Sequence, residues 1–228
     1  MKLAQILFTQ GFGTRRICAG LVDAGLVRVG GVVVEDGAAE FDTAGLEFEV
    51  EGRRWTFHDK ALVLLHKPAG YECSQKPRHH PSVLSLLPAP LRTRGVQPVG
   101  RLDEDTTGLL LLTDDGTLIH RLTSPKHHVP KVYQVTARHP VDETQIAKLL
   151  AGVVLEDDPV PVRAAAVERT ADNAIDLTLT EGKYHQVKRM LAAVGNRVEA
   201  LHRSRFGRVE IPAGLAPGGW CWVDPTAI

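Results

Sequence analysis

The spacing of apolar residues changes along this chain, and with it the element each stretch predicts. Leu3, Ile6 and Leu7 recur at helical spacing, and Gly11-Phe12-Gly13 stops that helix. Thr14 is suited to N-cap a second helix from Arg15 to about Ala24, which Gly25 ends. Leu26-Val27-Arg28-Val29, Gly30-Gly31 and Val32-Val33-Val34 read as a hairpin on a glycine turn. Residues 52–60 are polar and read as including a linker, although Trp55 and Phe57 imply that part of it packs. Beyond this point strands dominate. Residues 61–65 and 109–113 are apolar runs of strand length, the second ending in the turn Asp114-Asp115-Gly116. Residues 131–137 and 174–180 alternate as half-buried strands do, and helical spacing returns at 117–122, 143–151 and 184–194. The strands are not joined by regular helical crossovers. The expectation is an α+β fold: a small module over residues 1–58, then a domain over 59–228 built on a mixed, mainly antiparallel sheet.

A chain of 228 residues has room for one ordinary core and a small companion domain. Its composition, 43% hydrophobic and 24% charged, is that of a globular protein rather than a disordered or membrane-spanning one. Gln5 interrupts the first apolar stretch and no small-residue cleavage site follows, so the N-terminus does not read as a signal peptide. Cys18, Cys73 and Cys221 are far apart and form no CxxC pair. They read as free thiols in a reducing cytoplasm, not as disulfides or a zinc site.

The formal net charge is zero, but it is unevenly spread. Residues 182–208 carry seven Lys or Arg against Glu199 alone, and residues 67–101 carry six against Glu72. From 116 to 133 there are three bases, three histidines and no acid. The compensating acids lie elsewhere, notably at 156–158 and 168–181. Such segregation gives a neutral protein a basic face for phosphates.

The chemistry centres on Gly100-Arg101-Leu102-Asp103-Glu104-Asp105-Thr106-Thr107-Gly108, which runs into Leu109-Leu110-Leu111-Leu112. A carboxylate in a turn at the edge of an apolar strand can serve as nucleophile or base; the same pattern also describes an acidic turn that only caps the strand. Leu65-His66-Lys67-Pro68-Ala69-Gly70-Tyr71 is by itself an ordinary Pro-Gly turn after a strand. Tyr133, within Lys131-Val132-Tyr133-Gln134-Val135, is either a buried strand residue or a platform for an unstacked base. In residues 181–194, Val187, Met190 or Leu191, and Val194 share a helical face, and Lys188 lies one turn after His185.

These four segments, in their order along the chain (65–71, 100–112, 131–135 and 181–194), resemble the pseudouridine synthases. The resemblance implies that Asp103 is the catalytic aspartate, that Lys188 pairs with it, that Tyr133 stacks on the target uracil, and that Leu201 packs near the base. It further implies that Arg101, Lys67, Lys131, His185, Gln186, Arg189 and Arg203 contact substrate. Lys183 stands where the family commonly has Arg. Residues 1–58 resemble an S4 RNA-binding domain, in which Arg15, Arg16 and Arg28 would face RNA phosphates. Thr123-Ser124-Pro125-Lys126-His127-His128, together with Gly70-Tyr71-Glu72-Cys73-Ser74 and His80-Pro81, is similar to the branch acting on small-subunit 16S ribosomal RNA; sister branches act on large-subunit RNA. The partner implied is ribosomal RNA, with no cofactor, metal or membrane, and a monomer as the default. Other readings are a non-catalytic ribosome-assembly factor and a glycoside hydrolase pairing Asp103 with Asp105. The first is disfavoured by the intact Asp103, Tyr133 and Lys188, the second by two carboxylates in one loop. A zinc hydrolase lacks its ligand spacing.

Overall fold

A computed structural model describes residues 1–156 and 158–228, arranged as two compact units. Among the described residues no helix is long and apolar enough to cross a membrane.

The first unit comprises Met1–Ala61 and Leu87–Val96. It opens with α1 (Leu3–Thr9) and α2 (Arg15–Asp23), the latter capped by Thr14, whose hydroxyl accepts from Ile17 N. A four-stranded sheet follows, from β1 (Val27–Val29), β2 (Val32–Val33), β3 (Glu47–Val50) and β4 (Arg53–Thr56), in the order β2-β1-β3-β4. Leu3, Ile6 and Leu7 of α1 pack with Cys18 and Val22 of α2 and with Val27, Phe48 and Val50. Part of the stretch expected to include a linker packs, as Trp55 and Phe57 imply. Arg53–Thr56 is an edge strand, and Trp55 meets Phe12 edge-on at 5.2 Å, so the aromatic residues of that stretch belong to the core. The segment with α3 (Ala89–Thr93) also joins this unit, which a division after residue 58 did not anticipate. Gly11 makes the contact possible: at φ +86°, its absent Cβ would fall 2.1 Å from Pro90 O.

The second unit is built on a nine-stranded sheet. Its main path uses β5 (Leu62–Lys67), β7 (Thr107–Thr113), β8 (Lys131–Ala137), β11 (Ala166–Ala171), β12 (Ala174–Leu179), β13 (Val198–Phe206) and β15 (Trp220–Trp222), in the order β11-β12-β8-β13-β7-β5-β15. Short strands β6 (Gln97–Pro98) and β14 (Val209–Glu210) add to β7 and β13, while β9 (Val153–Leu155) and β10 (Asp158–Val162) form a separate hairpin. Pairing along the path is antiparallel except between β13 and β7. The sheet is therefore mixed and mainly antiparallel, as the sequence implies. The helices are α4 (Gly116–Thr123), α5 (Glu143–Ala151) and α6 (Gln186–Ala193). Helix α6 starts two residues later than its apolar spacing predicts, because His185 is left-handed at φ +48° and cannot continue a helix.

Strands β5 and β7 are buried on both faces, which explains their unbroken apolar runs. Where β7 lies parallel to β13 the backbones approach closely, and only glycine fits. Gly108 sits at φ +108°, and a Cβ there would stand 2.3 Å from Arg203 O and 2.7 Å from Arg203 N. Gly108→Ala is expected to cost roughly 3 kcal/mol or more through strain and collision. In a chain of this size that lowers Tm by about 6 °C or more, readable in a thermal melt.

Candidate active site

The turn that carries Asp103 is held from beneath by the segment after β5. Lys67 is fully buried, and its Nζ donates to the carbonyls of Pro68 (3.1 Å), Glu104 (3.0 Å) and Thr106 (2.8 Å). Gly70 N–H donates to the same Glu104 oxygen at 3.0 Å, and Thr106 N–H closes the turn on Asp103 O at 3.1 Å. Burial pushes the Lys67 ammonium below its ordinary pKa, against the pull of Cys73, Glu104, Asp105 and Asp103. The expectation that Lys67 touches substrate is corrected: it is a clamp on the turn backbone, with its charge spent on carbonyls.

Helix α6 delivers Lys188 to this turn. Its Nζ is 3.1 Å from Asp103 Oδ2 and 2.6 and 2.8 Å from the two oxygens of Asp105. His185 Nε2 lies 3.4 Å from Asp103 Oδ1 on the other side. One ammonium thus serves two carboxylates, which leaves Asp103 and Asp105 sharing a cation rather than standing apart as an acid and a base. Burial alone would raise the Asp105 carboxyl, but the Lys188 hydrogen bond and charge outweigh it and hold the group below the usual range. For Lys188, burial is outweighed in the same way by Asp105 and Asp103, and its pKa lies above the ordinary lysine value. A depressed carboxyl stabilises the fold above its unfolded pKa and loses that contribution as pH falls through the folded value. The difference in Tm between the wild type and Asp105→Asn is therefore expected to be level from about pH 5 to 8 and to shrink below about pH 4. Thermal melts at stepped pH check it.

A cavity of about 590 Å³ opens beside this cluster. Strands β8 and β13 supply one wall, with Lys131, Tyr133, Leu201 and Arg203 all lining it. These residues share a face because β8 and β13 pair with Tyr133 opposite Arg203 and Lys131 opposite Phe206. Asp103, Arg101 and His185 line the same space. Residues 61–193 match the sequence profile described as RNA pseudouridylate synthase, and residues 1–42 match the S4 domain. The chain belongs to the RNA pseudouridylate synthase family. The synthase is 39% identical over 226 residues to the Ribosomal small subunit pseudouridine synthase A of Yersinia pestis, covering 96% of this chain and 92% of that one. It is 46% identical over 161 residues to the protein of that name from Salmonella typhimurium, covering 71% and 69%. A solved structure described as the crystal structure of pseudouridylate synthase superposes with a TM-score of 0.70 at 35% identity, covering 99% and 97%.

Other expected site residues of the synthase fall in several places. Gln186 is buried and braces the turn before α6: its Oε1 accepts from Lys183 N at 2.7 Å, and its Nε2 donates to Glu181 at 3.0 Å. Arg189 donates to Tyr184 O at 3.0 Å and does not line the cavity. Lys183 is paired with Asp158. Arg15, Arg16 and Arg28 are exposed in the first unit, with Arg15 over the Phe8 ring and Arg28 donating to Gly31 O. Sequence reasoning missed the share of Lys188 taken by Asp105, although Asp105 stands in the same motif. It also missed Phe206 and Glu181 in the cavity wall and Tyr184, which is 68% exposed and stacked on His185 at 3.8 Å.

Proposed function

We propose that the synthase converts a uridine of small-subunit ribosomal RNA to pseudouridine, with Asp103 acting at the sugar. The observation that carries this reading is Asp103 held 3.1 Å from Lys188 in a cavity walled by Tyr133 and Leu201. The relatives named Ribosomal small subunit pseudouridine synthase A support the choice of RNA.

The reaction breaks the bond from ribose C1′ to uracil N1, turns the base, and joins C5 to C1′. No electron is transferred, so no redox cofactor is required. Asp103 either attacks C1′ or removes a proton from C2′; both need the ionised carboxylate, which an adjacent ammonium favours. Lys188 is the positioning cation, Tyr133 the stacking platform, and Leu201 the apolar wall. Arg101 and His185 contact the RNA at the mouth, while Gln186 and Arg189 act by bracing the turn around His185. Lys131 and Arg203 lie deeper, against the base. Extracting the uridine from an RNA stack costs roughly a few kcal/mol, which phosphate contacts from Arg15, Arg16 and Arg28 of the S4-like residues 1–58 help to offset. Residues 59–228 carry the chemistry. The protein acts as a cytoplasmic monomer on ribosomal RNA.

Purified synthase offered separately transcribed small- and large-subunit ribosomal RNA should form pseudouridine, counted in nucleoside digests, in the small-subunit RNA alone. Conversion confined to large-subunit RNA would overturn the choice of substrate.

A further inference from the structure

Two lysines of the synthase are buried, and their surroundings are opposite. The ammonium of Lys67 is fully engaged by three carbonyls. Lys131 is only 8% exposed, yet among the described residues its Nζ has no hydrogen bond and no carboxylate at ion-pair distance; it stands 5.3 Å from the centre of the Phe206 ring. Beside it is a second buried cation. Arg203 is 2% exposed, lies 5.3 Å from the same ring, and donates through Nε to Leu109 O at 2.8 Å. Its Nη2 has no partner among the described residues, nor does the buried Thr106 Oγ1. Burial and the Arg203 charge push Lys131 down to about 8, with Glu181 opposing them.

Two like charges held out of water with no carboxylate at ion-pair distance among the described residues destabilise the fold. Packing does not require them, since apolar side chains of similar volume would fill the same wall at less cost. Lys131 and Arg203, with Thr106, line the cavity that holds Asp103, Tyr133 and Leu201. The unmatched positive charge therefore faces the space where the reaction of the synthase takes place.

We propose that Lys131 and Arg203 form a cationic floor that takes up the negative charge left on uracil when its bond to ribose breaks. The inference rests on the synthase reading of the site. When C1′–N1 breaks, both electrons leave with the base and spread over N1 and the carbonyl oxygens. The sugar is left electron-poor, and Asp103 answers by bonding C1′ or by taking the C2′ proton. The base then turns and C5 bonds C1′, either as the ester bond from Asp103 to C1′ breaks and frees the carboxylate, or as Asp103 returns the proton to C2′; in the net reaction the C5 proton is lost and N1 gains one. Charge on the base exists only between these steps, so donors fixed in a dry site stabilise it without holding the bound uridine more tightly. A phosphate is the less suitable occupant. The floor is flanked by the Tyr133 ring and Leu201, which suit a flat base, and exposed Arg78 and Arg101 at the mouth are better placed for the RNA backbone.

The test uses the full-length synthase and C5-tritiated small-subunit ribosomal RNA, comparing wild type with Lys131→Met. Single-turnover tritium release at saturating enzyme should fall about 100-fold or more, the effect of deleting a preorganised charge donor. Kd for the RNA should stay within about threefold, and Tm should rise because a buried unpaired charge is removed. A tenfold weaker Kd with an unchanged rate at saturation would make Lys131 a phosphate contact and overturn the proposal. A lowered Tm with rate and affinity lost together would make its role structural and overturn the proposal as well. Absence of release by the wild type would instead bring down the synthase reading, and the proposal with it.

Discussion

Asp103→Asn is expected to abolish pseudouridine formation, with a loss of about 10⁴-fold or more, while leaving RNA affinity within about threefold. The amide has nearly the shape of the carboxylate and can still accept from Lys188, 3.1 Å away, so the turn keeps its place. What it loses is the negative charge, and with it the nucleophilicity and basicity needed at the sugar. Single-turnover conversion and filter binding of the same RNA separate the two effects. Asp105→Asn is the internal control: Asp105 shares the Lys188 ammonium at 2.6 Å, but its loss returns that cation wholly to Asp103. Its rate should fall by about tenfold at most, a factor worth about 1.4 kcal/mol. Equal losses in the two variants would remove the distinction between them.

Lys67→Met is expected to cost roughly 3–5 kcal/mol, because it takes the shared donor from three carbonyls, of which Glu104 O keeps Gly70 N–H, and leaves a buried cavity shaped for an ammonium. Tm should fall by about 10 °C, and the rate by about 100-fold even where the variant is fully folded, since the Asp103 turn loses its brace. Lys67→Arg should not restore either property, because a planar fork cannot place donors toward carbonyls of residues 68, 104 and 106 as an ammonium does. The comparison with Lys131→Met is sharp. Both changes remove a buried lysine charge and both suppress turnover, but one lowers Tm and the other raises it. A single melt for each variant distinguishes the clamp from the floor.

Much of this architecture is legible in the chain because local pattern and burial agree. Leu3, Ile6 and Leu7 repeat at helical spacing and share a core, and Thr14 caps the helix it precedes. The apolar runs of β5 and β7 are buried on both faces, and the alternation in 131–137 matches the exposure of β8. Strand β13 escaped detection for a physical reason. Its inward positions are Leu201, Arg203 and Phe206, so a buried arginine stands where an apolar residue would mark the strand, and a register shift between Arg203 and Arg205 breaks the alternation. The two compact units were also only partly legible. Leu87–Val96 joins the first through Gly11 and through Arg94, which donates to His58 O and Asp59 O, contacts far apart in sequence.

The site divides along the same line. Asp103, Lys188 and Tyr133 stand out as residue types in ordered motifs, and the fold brings them together at one cavity. Motif position alone does not say which way a basic side chain faces. Lys67 and Lys131 both look like substrate contacts from the chain, yet one is consumed by backbone carbonyls and the other meets none among the described residues. Only the convergence of residues 68, 104 and 106 on one ammonium separates them.

Uridine isomerisation at Asp103 is tested most directly by release of tritium from C5-labelled small-subunit ribosomal RNA, with wild type, Asp103→Asn and Asp105→Asn run side by side. C5 gives up its hydrogen only when the new carbon–carbon bond to ribose is completed. Release matched by pseudouridine in the digest is expected for wild type, a reduced but clear signal for Asp105→Asn, and none for Asp103→Asn. Release by Asp103→Asn at a rate near that of wild type would contradict the assignment of Asp103 as the residue that acts at the sugar.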